Sequence, residues 1–184
     1  MPFHIRLNHM TTQDSLKSTF NATYQAEADA IFRFCLVRVS DREQALDLVQ
    51  ETFTRLWKTL SSGKEMSNSR AFLFTVAHRL IIDWYRKKKS LSLESMSNEE
   101  SGESYDHADE ATMYTGLEMG SEGRFLLEKI RELNPSYRQA VYLRFVEGLP
   151  PPEIGDILGI SANAASVRIN RGIKELRNLT GYDV

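Results

Sequence analysis

Apolar residues recur through most of the chain at steps of three, four or seven residues, which is the spacing of one helix face. The first such run begins at Phe20 and reaches Cys35. A second helix is predicted from Arg42 to Leu60 and a third from about Arg70 to Lys89. The predicted inner residues are Tyr24 and Ile31 in the first helix, Leu46, Val49, Phe53, Leu56 and Leu60 in the second, and Leu73, Val76, Ala77, Leu80 and Trp84 in the third.

The C-terminal third keeps the helical pattern but divides it into shorter pieces. The run RFLLEKIREL predicts a fourth amphipathic helix, and Asn134 followed by Pro135 predicts a capped start for a fifth that Gly148 can end. A short helix, a turn at Gly159, a cap at Ser161 and a longer final helix follow, which is the order of a helix-turn-helix. No strand-like alternation or internal repeat competes, so the sequence predicts an all-α fold.

Charge divides the chain into three parts that the net value of −2 conceals. Residues 1–89 hold 14 Lys and Arg against 9 Asp and Glu, and residues 123–184 hold 9 against 7. Residues 90–122 hold 9 acids and no Lys or Arg, and are rich in Ser and Glu without an apolar period. We therefore predict two small helical domains, 1–89 and 124–184, joined by an acidic flexible linker at 90–123.

Other sequence features exclude several classes of protein. Cys35, the one cysteine, lies among apolar residues and is predicted to be a buried filler. The four histidines have no metal-ligand spacing, so neither a metal nor a cofactor is predicted. No apolar run approaches the roughly 20 residues that span a bilayer, and the first residues lack the pattern of a secretory signal. The cytoplasm is the expected compartment.

The final helix has a face suited to DNA. At 100° per residue, Ala165, Ile169, Gly172 and Leu176 share one arc and should face the core. The opposite side carries small, polar and cationic residues that can reach base edges, a thymine methyl group and phosphates: Asn163, Ser166, Val167, Arg168, Asn170, Arg171 and Lys174. A solvated helix face explains any one of these residues better than DNA binding does, but together with the helix-turn-helix pattern they favour DNA binding.

The third helix offers a second basic surface, where Arg79 and the run RKKK from Arg86 to Lys89 surround Trp84 and Tyr85. Cations attract phosphate, and aromatic rings stack on unpaired bases. Trp84 fits a core position as well, and a basic run also fits a solvated helix end.

A third candidate surface lies on the second helix. Its face with Asp47, Gln50 and Glu51 is too acidic for DNA and fits either a basic protein surface or plain solvent exposure.

Three blocks in this order resemble the extracytoplasmic-function group of bacterial sigma factors. DREQALDLVQETFTRLW is similar to that family's helix for binding core RNA polymerase, and RAFLFTVAHRLIIDWYRKKK to its promoter-opening helix. LNPSYRQAVYLRFVEGLPPPEIGDILGISANAASVRINRGIKEL is similar to its second DNA-binding domain. The resemblance covers nearly the whole chain except the extreme N-terminus and the linker.

The resemblance implies a role for each surface. The first domain would hold the polymerase clamp through Asp47, Gln50 and Glu51. It would bind the −10 promoter element and cradle a flipped base in the loop 61–69, and the residues implied for −10 DNA are Lys64, Asn68, Arg70, His78, Arg79, Asp83, Arg86 and Lys87. The second domain would read the −35 element through Ser161, Asn163, Ser166, Val167, Arg168, Asn170, Arg171 and Lys174.

The resemblance also implies the partners, which are core RNA polymerase, promoter DNA and an anti-sigma protein, membrane-linked or not. The linker would pass through the active-site and RNA-exit channels of the polymerase, while composition alone fits a simple spacer equally well. No small-molecule substrate is expected. A conventional helix-turn-helix regulator would explain residues 124–180 but not the first domain, and a nuclease would need acids near the basic helix, whereas most spare carboxylates lie in the linker.

Several positions depart from the family pattern. Leu46 replaces a common acid, and His78 with Arg79 replaces a frequent Arg-Asn pair. The run Pro150–Pro152 replaces the usual Ser or Thr cap of the short helix, which a first turn tolerates. Ser166 stands where Lys or Arg is common, and this leaves the −35 sequence preference open.

Overall fold

The structure of the protein is a computed structural model that describes residues 4–64, 66–95 and 120–181. Every regular element within these ranges is an α-helix, which confirms the predicted all-α fold. The helices are α1 (His4–Val39), α2 (Arg42–Ser61), α3 (Ser69–Ser95), α4 (Ser121–Glu132), α5 (Pro135–Phe145), α6 (Pro151–Leu158) and α7 (Ala162–Thr180). The central part of the predicted linker, 96–119, lies outside the described residues.

Helix α2 matches its predicted bounds to within one residue, and its start is capped as its sequence suggests. The Asp41 carboxylate accepts a hydrogen bond from the backbone N–H of Gln44 at 3.0 Å. Its buried face consists of Ala45, Leu48, Val49, Thr52, Phe53 and Leu56. The prediction that Leu46 lies on this face was wrong, because its side chain is 48% exposed and Ala45 and Leu48 take the core positions on either side of it.

Helices α1 and α3 are longer than the apolar pattern predicted. Helix α1 begins at His4 instead of near Phe20, and α3 continues from Lys89 to Ser95. Tyr24, predicted to face the core, is 46% exposed, although its ring lies 4.7 Å from that of Phe53. In both helices, the helical backbone hydrogen bonding continues beyond the residues whose apolar pattern predicts a helix.

The C-terminal helices have the predicted caps. The Asn134 side chain accepts a hydrogen bond from the N–H of Ser136 at 2.9 Å, and Pro135 occupies the first turn of α5. Gly159 ends α6 in the left-handed region at φ 66°, and the Ser161 hydroxyl accepts from the N–H of Ala164 to start α7. Gly172 faces α5, where it lets the helices approach closely. These contacts confirm the helix-turn-helix and fix the direction of α7.

The two halves of the chain pack directly against each other. Helices α4 and α5 contact α1, and α6 contacts α3. The Phe34 ring lies 5.2 Å from Phe74 in its own half and 5.7 Å from Tyr142 in the other half. The buried residues of both halves therefore form one apolar cluster.

Cys35 belongs to this cluster and is fully buried, as predicted. Burial raises the pKa of its thiol far above the ordinary value, because the thiolate would lose its hydration. The side chain therefore serves as apolar filling rather than as a reactive thiol.

Candidate nucleic-acid and polymerase interface

The acidic face of α2 is open to solvent along two turns. Asp47 and Gln50 are exposed, and the Asp47 carboxylate accepts a hydrogen bond from Gln44 at 3.4 Å. Glu51 is half exposed and accepts from the guanidinium of Arg55 at 2.9 Å. With Leu46 beside Asp47, the face offers carboxylates next to one apolar side chain, which suits a protein surface better than DNA.

The outward face of α7 is presented as the helical arc predicted. Ala165, Ile169 and Gly172 are buried and Leu176 is partly buried, so the opposite residues point away from the core. Asn163, Val167, Asn170, Arg171 and Lys174 are exposed. Because α7 begins at a rigid turn, these side chains form a continuous polar and cationic surface near the helix start.

Three of the predicted −35 residues are tied into the protein as well. The Ser161 hydroxyl caps α7 by accepting from the N–H of Ala164 at 3.1 Å. The Ser166 hydroxyl donates to the carbonyl oxygen of Ala162 at 3.0 Å. Arg168 is half-buried and close enough to His78 of α3 for its charge to act on that residue. These side chains therefore have less freedom to reach DNA than their exposed neighbours.

The loop between α2 and α3 contains Lys64 and Asn68, which are both exposed. The Asn68 side chain accepts a hydrogen bond from the N–H of Ala71 at 2.9 Å and so caps the start of α3. Lys64 follows Gly63, which turns the chain at φ 71°. Asn68 thus places an amide at the N-terminal end of α3, where the helix dipole favours negative charge, and Lys64 adds an exposed cation in the loop before it.

The solvent side of α3 carries Arg79, Asp83, Arg86 and Lys87, and the Arg86 guanidinium lies 3.5 Å from the Asp83 carboxylate. A groove of about 650 Å³ runs between α2 and α3. It is lined by Arg55, Leu80, Asp83, Trp84, Arg86 and Lys87. Three cations beside an aromatic ring can hold a phosphate or stack a base.

Trp84 lies in both of the environments predicted for it, the apolar core and the basic surface of α3. Its ring is half-buried against the core and also forms part of the groove wall. The Lys88 ammonium lies 5.3 Å from the centre of this ring. Arg55 also lines this groove, although it was not among the predicted site residues. The signal that could have indicated it is its spacing of four residues from Glu51, which puts both on one face of α2.

Two predicted −10 residues lie at the contact between the halves rather than in open solvent. Arg70 donates to Glu27 of α1 at 2.9 Å and to Glu147, just beyond α5, at 2.5 Å. His78 is half-buried next to Gln139 of α5. Burial lowers the pKa of His78, and the nearby charges of Arg38, Arg168 and Arg79 lower it further, although the hydrogen bond with Gln139 acts in the opposite direction. The sequence pattern gave no sign of this environment.

Within the described residues, no group of three or more His, Cys, Asp or Glu side chains could hold a metal ion. No helix in that part of the chain is long and apolar enough to cross a membrane. The residues described above make up three surfaces: the acidic face of α2, the basic side of α3 with its loop, and the outward face of α7.

Two family models match the parts of the chain that carry these surfaces. The family model described as Sigma-70 region 2 matches residues 23–91, and the model described as Sigma-70, region 4 matches residues 126–176. RNA polymerase sigma factor YlaC of Bacillus subtilis is 29% identical over 172 residues, which are 93% of this chain and 95% of that protein. The ECF RNA polymerase sigma factor SigX of the same organism is 23% identical, covering 88% of this chain and 84% of the relative.

The chain belongs to the extracytoplasmic-function group of sigma factors. This sigma factor is also similar in fold to a solved structure, the sigma factor RpoE in complex with the anti-sigma factor NepR from Bartonella quintana. The TM-score is 0.69 at 22% identity, and the match covers 90% of this chain and 99% of the other. As a sigma factor, the protein binds core RNA polymerase, directs it to promoters and assists opening of the −10 region.

Proposed function

We propose that this sigma factor uses residues 1–89 to bind the polymerase and the −10 element, and residues 124–184 to read the −35 element. Residues 90–123 then form the acidic linker between them. The observation that carries this division is the geometry of α7, whose inner residues lock into its own half while Asn163, Asn170 and Arg171 point outward. A helix fixed at its start and polar on its free side is the arrangement that enters a major groove.

The outward face of α7 has two kinds of side chain with separate roles. We assign Asn163, Ser166, Val167, Asn170 and Arg171 to base edges, because they lie on the outward side of the helix. Four of them are exposed, and Ser166 is half-buried with its hydroxyl donating to Ala162. Lys174, one turn further on, neutralises a phosphate. Ser161 and Arg168 position the helix start and its flank, consistent with their contacts to Ala164 and to the region of His78.

The −10 surface begins at the loop and continues along α3. Lys64 and Asn68 flank the entrance, and Arg70, His78 and Arg79 follow on α3. The groove beyond them ends at Asp83, Arg86 and Lys87. Extruding a base costs a few kcal/mol, so a surface that holds a flipped base and its phosphates offsets part of the cost of opening the duplex.

The acidic face of α2 is assigned to the polymerase clamp. Asp47, Gln50 and Glu51 lie side by side with two carboxylates exposed or half exposed. A basic protein surface would gain charge-assisted hydrogen bonds there, and Leu46 would add apolar contact at the same place. DNA would be repelled by the same carboxylates.

The remaining assignments follow from membership of the family. An anti-sigma protein, membrane-linked or not, is proposed as the inhibitory partner. The acidic linker is proposed to follow the active-site and RNA-exit channels of the polymerase, where its carboxylates would take the place of nucleic acid phosphates. The protein is proposed to act without catalysis, without a cofactor and without a small-molecule substrate, in the cytoplasm where the polymerase works.

The test combines binding to purified core polymerase with run-off transcription on a promoter library. We expect Asp47→Lys with Glu51→Lys to weaken binding to core polymerase by about tenfold or more, because two attractions become repulsions. Glu153→Lys with Asp156→Lys is the matched control, since it reverses two exposed acids on α6.

The proposal fails if the wild-type chain neither binds the polymerase nor supports transcription from any promoter in the library. A conventional DNA-binding regulator would give that result while still binding duplex DNA. Equal losses in the α2 variant and the α6 control would contradict the assignment of the clamp surface alone.

A further inference from the structure

Arg70 uses both of its terminal nitrogens in ion pairs, one with an acid of its own half and one with an acid of the other half. One guanidinium N–H donates to the Glu27 carboxylate of α1 at 2.9 Å. The other donates to the Glu147 carboxylate, which lies just beyond α5 in the other half, at 2.5 Å. Arg70 also lies over the ring of Phe74, 5.5 Å from its centre. A side chain predicted to meet DNA is thus held by two acids of the protein itself.

Glu147 has a second partner that strengthens the same contact. The Tyr142 hydroxyl donates to the Glu147 carboxylate at 2.8 Å and lies 3.4 Å from the carbonyl oxygen of Ala30 in α1. Burial raises the pKa of Tyr142 well above its ordinary value, and the Glu147 charge adds to this, so the hydroxyl keeps its proton and stays a donor. We call Glu27, Arg70, Tyr142 and Glu147 the interdomain latch.

The two acids of the interdomain latch are more deeply buried than its arginine. The Glu147 side chain is 4% exposed and that of Glu27 14% exposed, whereas Arg70 is 35% exposed. If Arg70 turns toward a phosphate, the buried Glu147 carboxylate loses its ion pair with Arg70 and keeps the hydrogen bond from Tyr142, on which the charge of Arg33 also acts. Loss of an ion pair by a buried carboxylate is unfavourable. Glu147 can regain hydration only if the segment after α5 moves away from α1 and α3. Contact of Arg70 with DNA therefore disfavours the closed arrangement.

His78, further along α3, is a second proposed −10 residue that lies at the contact between the halves. Its ring is half-buried at the contact with Gln139 of α5 and lies near Arg168 of α7. In the closed arrangement this proposed −10 residue is therefore covered by the half that carries the proposed −35 surface. Separation of the halves would uncover both Arg70 and His78.

We propose that the interdomain latch holds the free chain closed, and that −10 DNA and closure compete for Arg70. This inference rests on the proposed −10 role of Arg70. Because coupling between two equilibria is reciprocal, breaking the latch should raise DNA affinity, and DNA should open the latch.

The first measurement concerns distance and does not depend on DNA. Spin labels are attached to Lys58→Cys on α2 and Asn178→Cys on α7, both at exposed positions. Cys35 is 0% exposed with a raised pKa, so its thiol does not compete for the label. We expect a short-distance population in the parent chain, and a shift of most of it to longer distances in Glu147→Gln.

Glu27→Gln removes the acid that positions Arg70 within the first half and should produce a smaller shift in the same direction. Glu132→Gln is the matched control, because it removes an equal charge from an exposed ion pair with Lys129 at 2.7 Å, away from the latch. Far-UV circular dichroism checks that each variant is folded. If Glu147→Gln unfolds the chain, Glu27→Gln and Tyr142→Phe decide the outcome.

The second measurement is the affinity of the free protein for a single-stranded −10 oligonucleotide without polymerase. We expect Glu147→Gln and Glu27→Gln to bind about tenfold more tightly than the parent, because a larger fraction of the chain is open. The same oligonucleotide should lengthen the label distance in the parent.

Unchanged distances in both latch variants, or an equal shift in Glu132→Gln, would overturn the latch. Run-off transcription by the parent keeps the outcomes apart: if it succeeds while the distances stay unchanged, the sigma function stands and the latch falls. If the latch variants open but no variant binds the oligonucleotide, the −10 role of Arg70 is the part that fails.

Discussion

The two proposed DNA surfaces differ in how the fold treats them. The outward face of α7 is supported from behind by its own half and leaves Asn163, Asn170 and Arg171 exposed. The −10 surface on α3 is divided: Arg79 and Arg86 are open, whereas Arg70 and His78 are held against the opposite half. One surface is ready in the free chain, and the other is shared with an internal contact.

This difference indicates that the surface for reading duplex DNA is preformed, whereas the surface for strand opening must first be released from internal contacts. A preformed surface binds without prior rearrangement, which favours early recognition. A surface engaged in internal contacts binds only after those contacts are exchanged, which reduces its affinity by the fraction of open chain. The comparison leads to three predictions, given in order of decreasing effect.

The largest effect is expected from Gly155→Ala, which attacks the support of α7. A Cβ at Gly155 would lie 2.8 Å from the carbonyl oxygen of Ile160 and 3.2 Å from the backbone N of Ala162. Both are backbone atoms of the turn, so the turn must move. We expect a loss of about 2 kcal/mol in the free energy of unfolding, measured by urea denaturation.

The same variant should reduce binding to −35 duplex DNA while leaving binding to core polymerase intact. Gly120→Ala serves as the control, because a Cβ there meets no atom within 4 Å and the backbone is extended. Equal stability losses in the two variants would show that the turn is not as tightly packed as the distances indicate.

A smaller effect is expected from changes on the outward face of α7. Asn163→Ala and Arg171→Ala should each cost about 1 kcal/mol of discrimination at particular −35 bases, because they remove contacts to base edges. Lys174→Ala should instead weaken binding on all sequences alike and flatten its salt dependence, because it removes a phosphate contact. Fluorescence anisotropy with single-base variants of the −35 duplex measures both. Uniform losses from all three substitutions would remove the distinction between base and phosphate contacts.

The third prediction concerns pH at the contact between the halves. The pKa of His78 in the folded chain lies below its ordinary value of 6.5. As the pH falls through 6.5, the unfolded chain therefore takes up a proton on this ring, whereas the folded chain keeps the ring neutral until a lower pH. Stability is therefore complete above pH 6.5 and is lost as the pH falls toward the lower, folded-state value. The charges of Arg38, Arg168 and Arg79 act on the ring from nearby, so an added proton there meets like charge, and Gln139 favours it only in part.

Thermal unfolding of the wild type and of His78→Gln between pH 8 and pH 5 tests this. The wild type should lose more Tm on acidification than the variant, which carries no titrating group at that position. Parallel curves would mean that His78 is solvated in the free protein and that the halves are apart.

Sequence analysis predicted the elements whose signals are local. The caps at Asn134 and Ser161, the turn at Gly159 and the inner arc of α7 all depend on residues within a few positions of each other. Leu46 was misplaced because steps of three and four can be counted from either Ala45 or Leu46, and only packing decides between them.

Contacts between the halves could not be predicted in the same way. Arg70 and Glu147 are 77 positions apart, and neither the charge of one nor the spacing of the other points to its partner. The ends of α1 and α3 were also missed, because these helices extend into stretches with no apolar stripe. The family resemblance named residues on α3 but not the internal contacts that hold two of them.

The entry into α6 passes through Gly148, which turns the chain at φ 71°, and then through Pro150, Pro151 and Pro152. No side chain caps this helix. Three pyrrolidine rings instead restrict the unfolded chain at this corner, so little backbone entropy remains to be lost when the corner forms. The direction in which α6 and α7 leave the corner is thus set largely before folding, by stiffness of the chain rather than by a hydrogen bond.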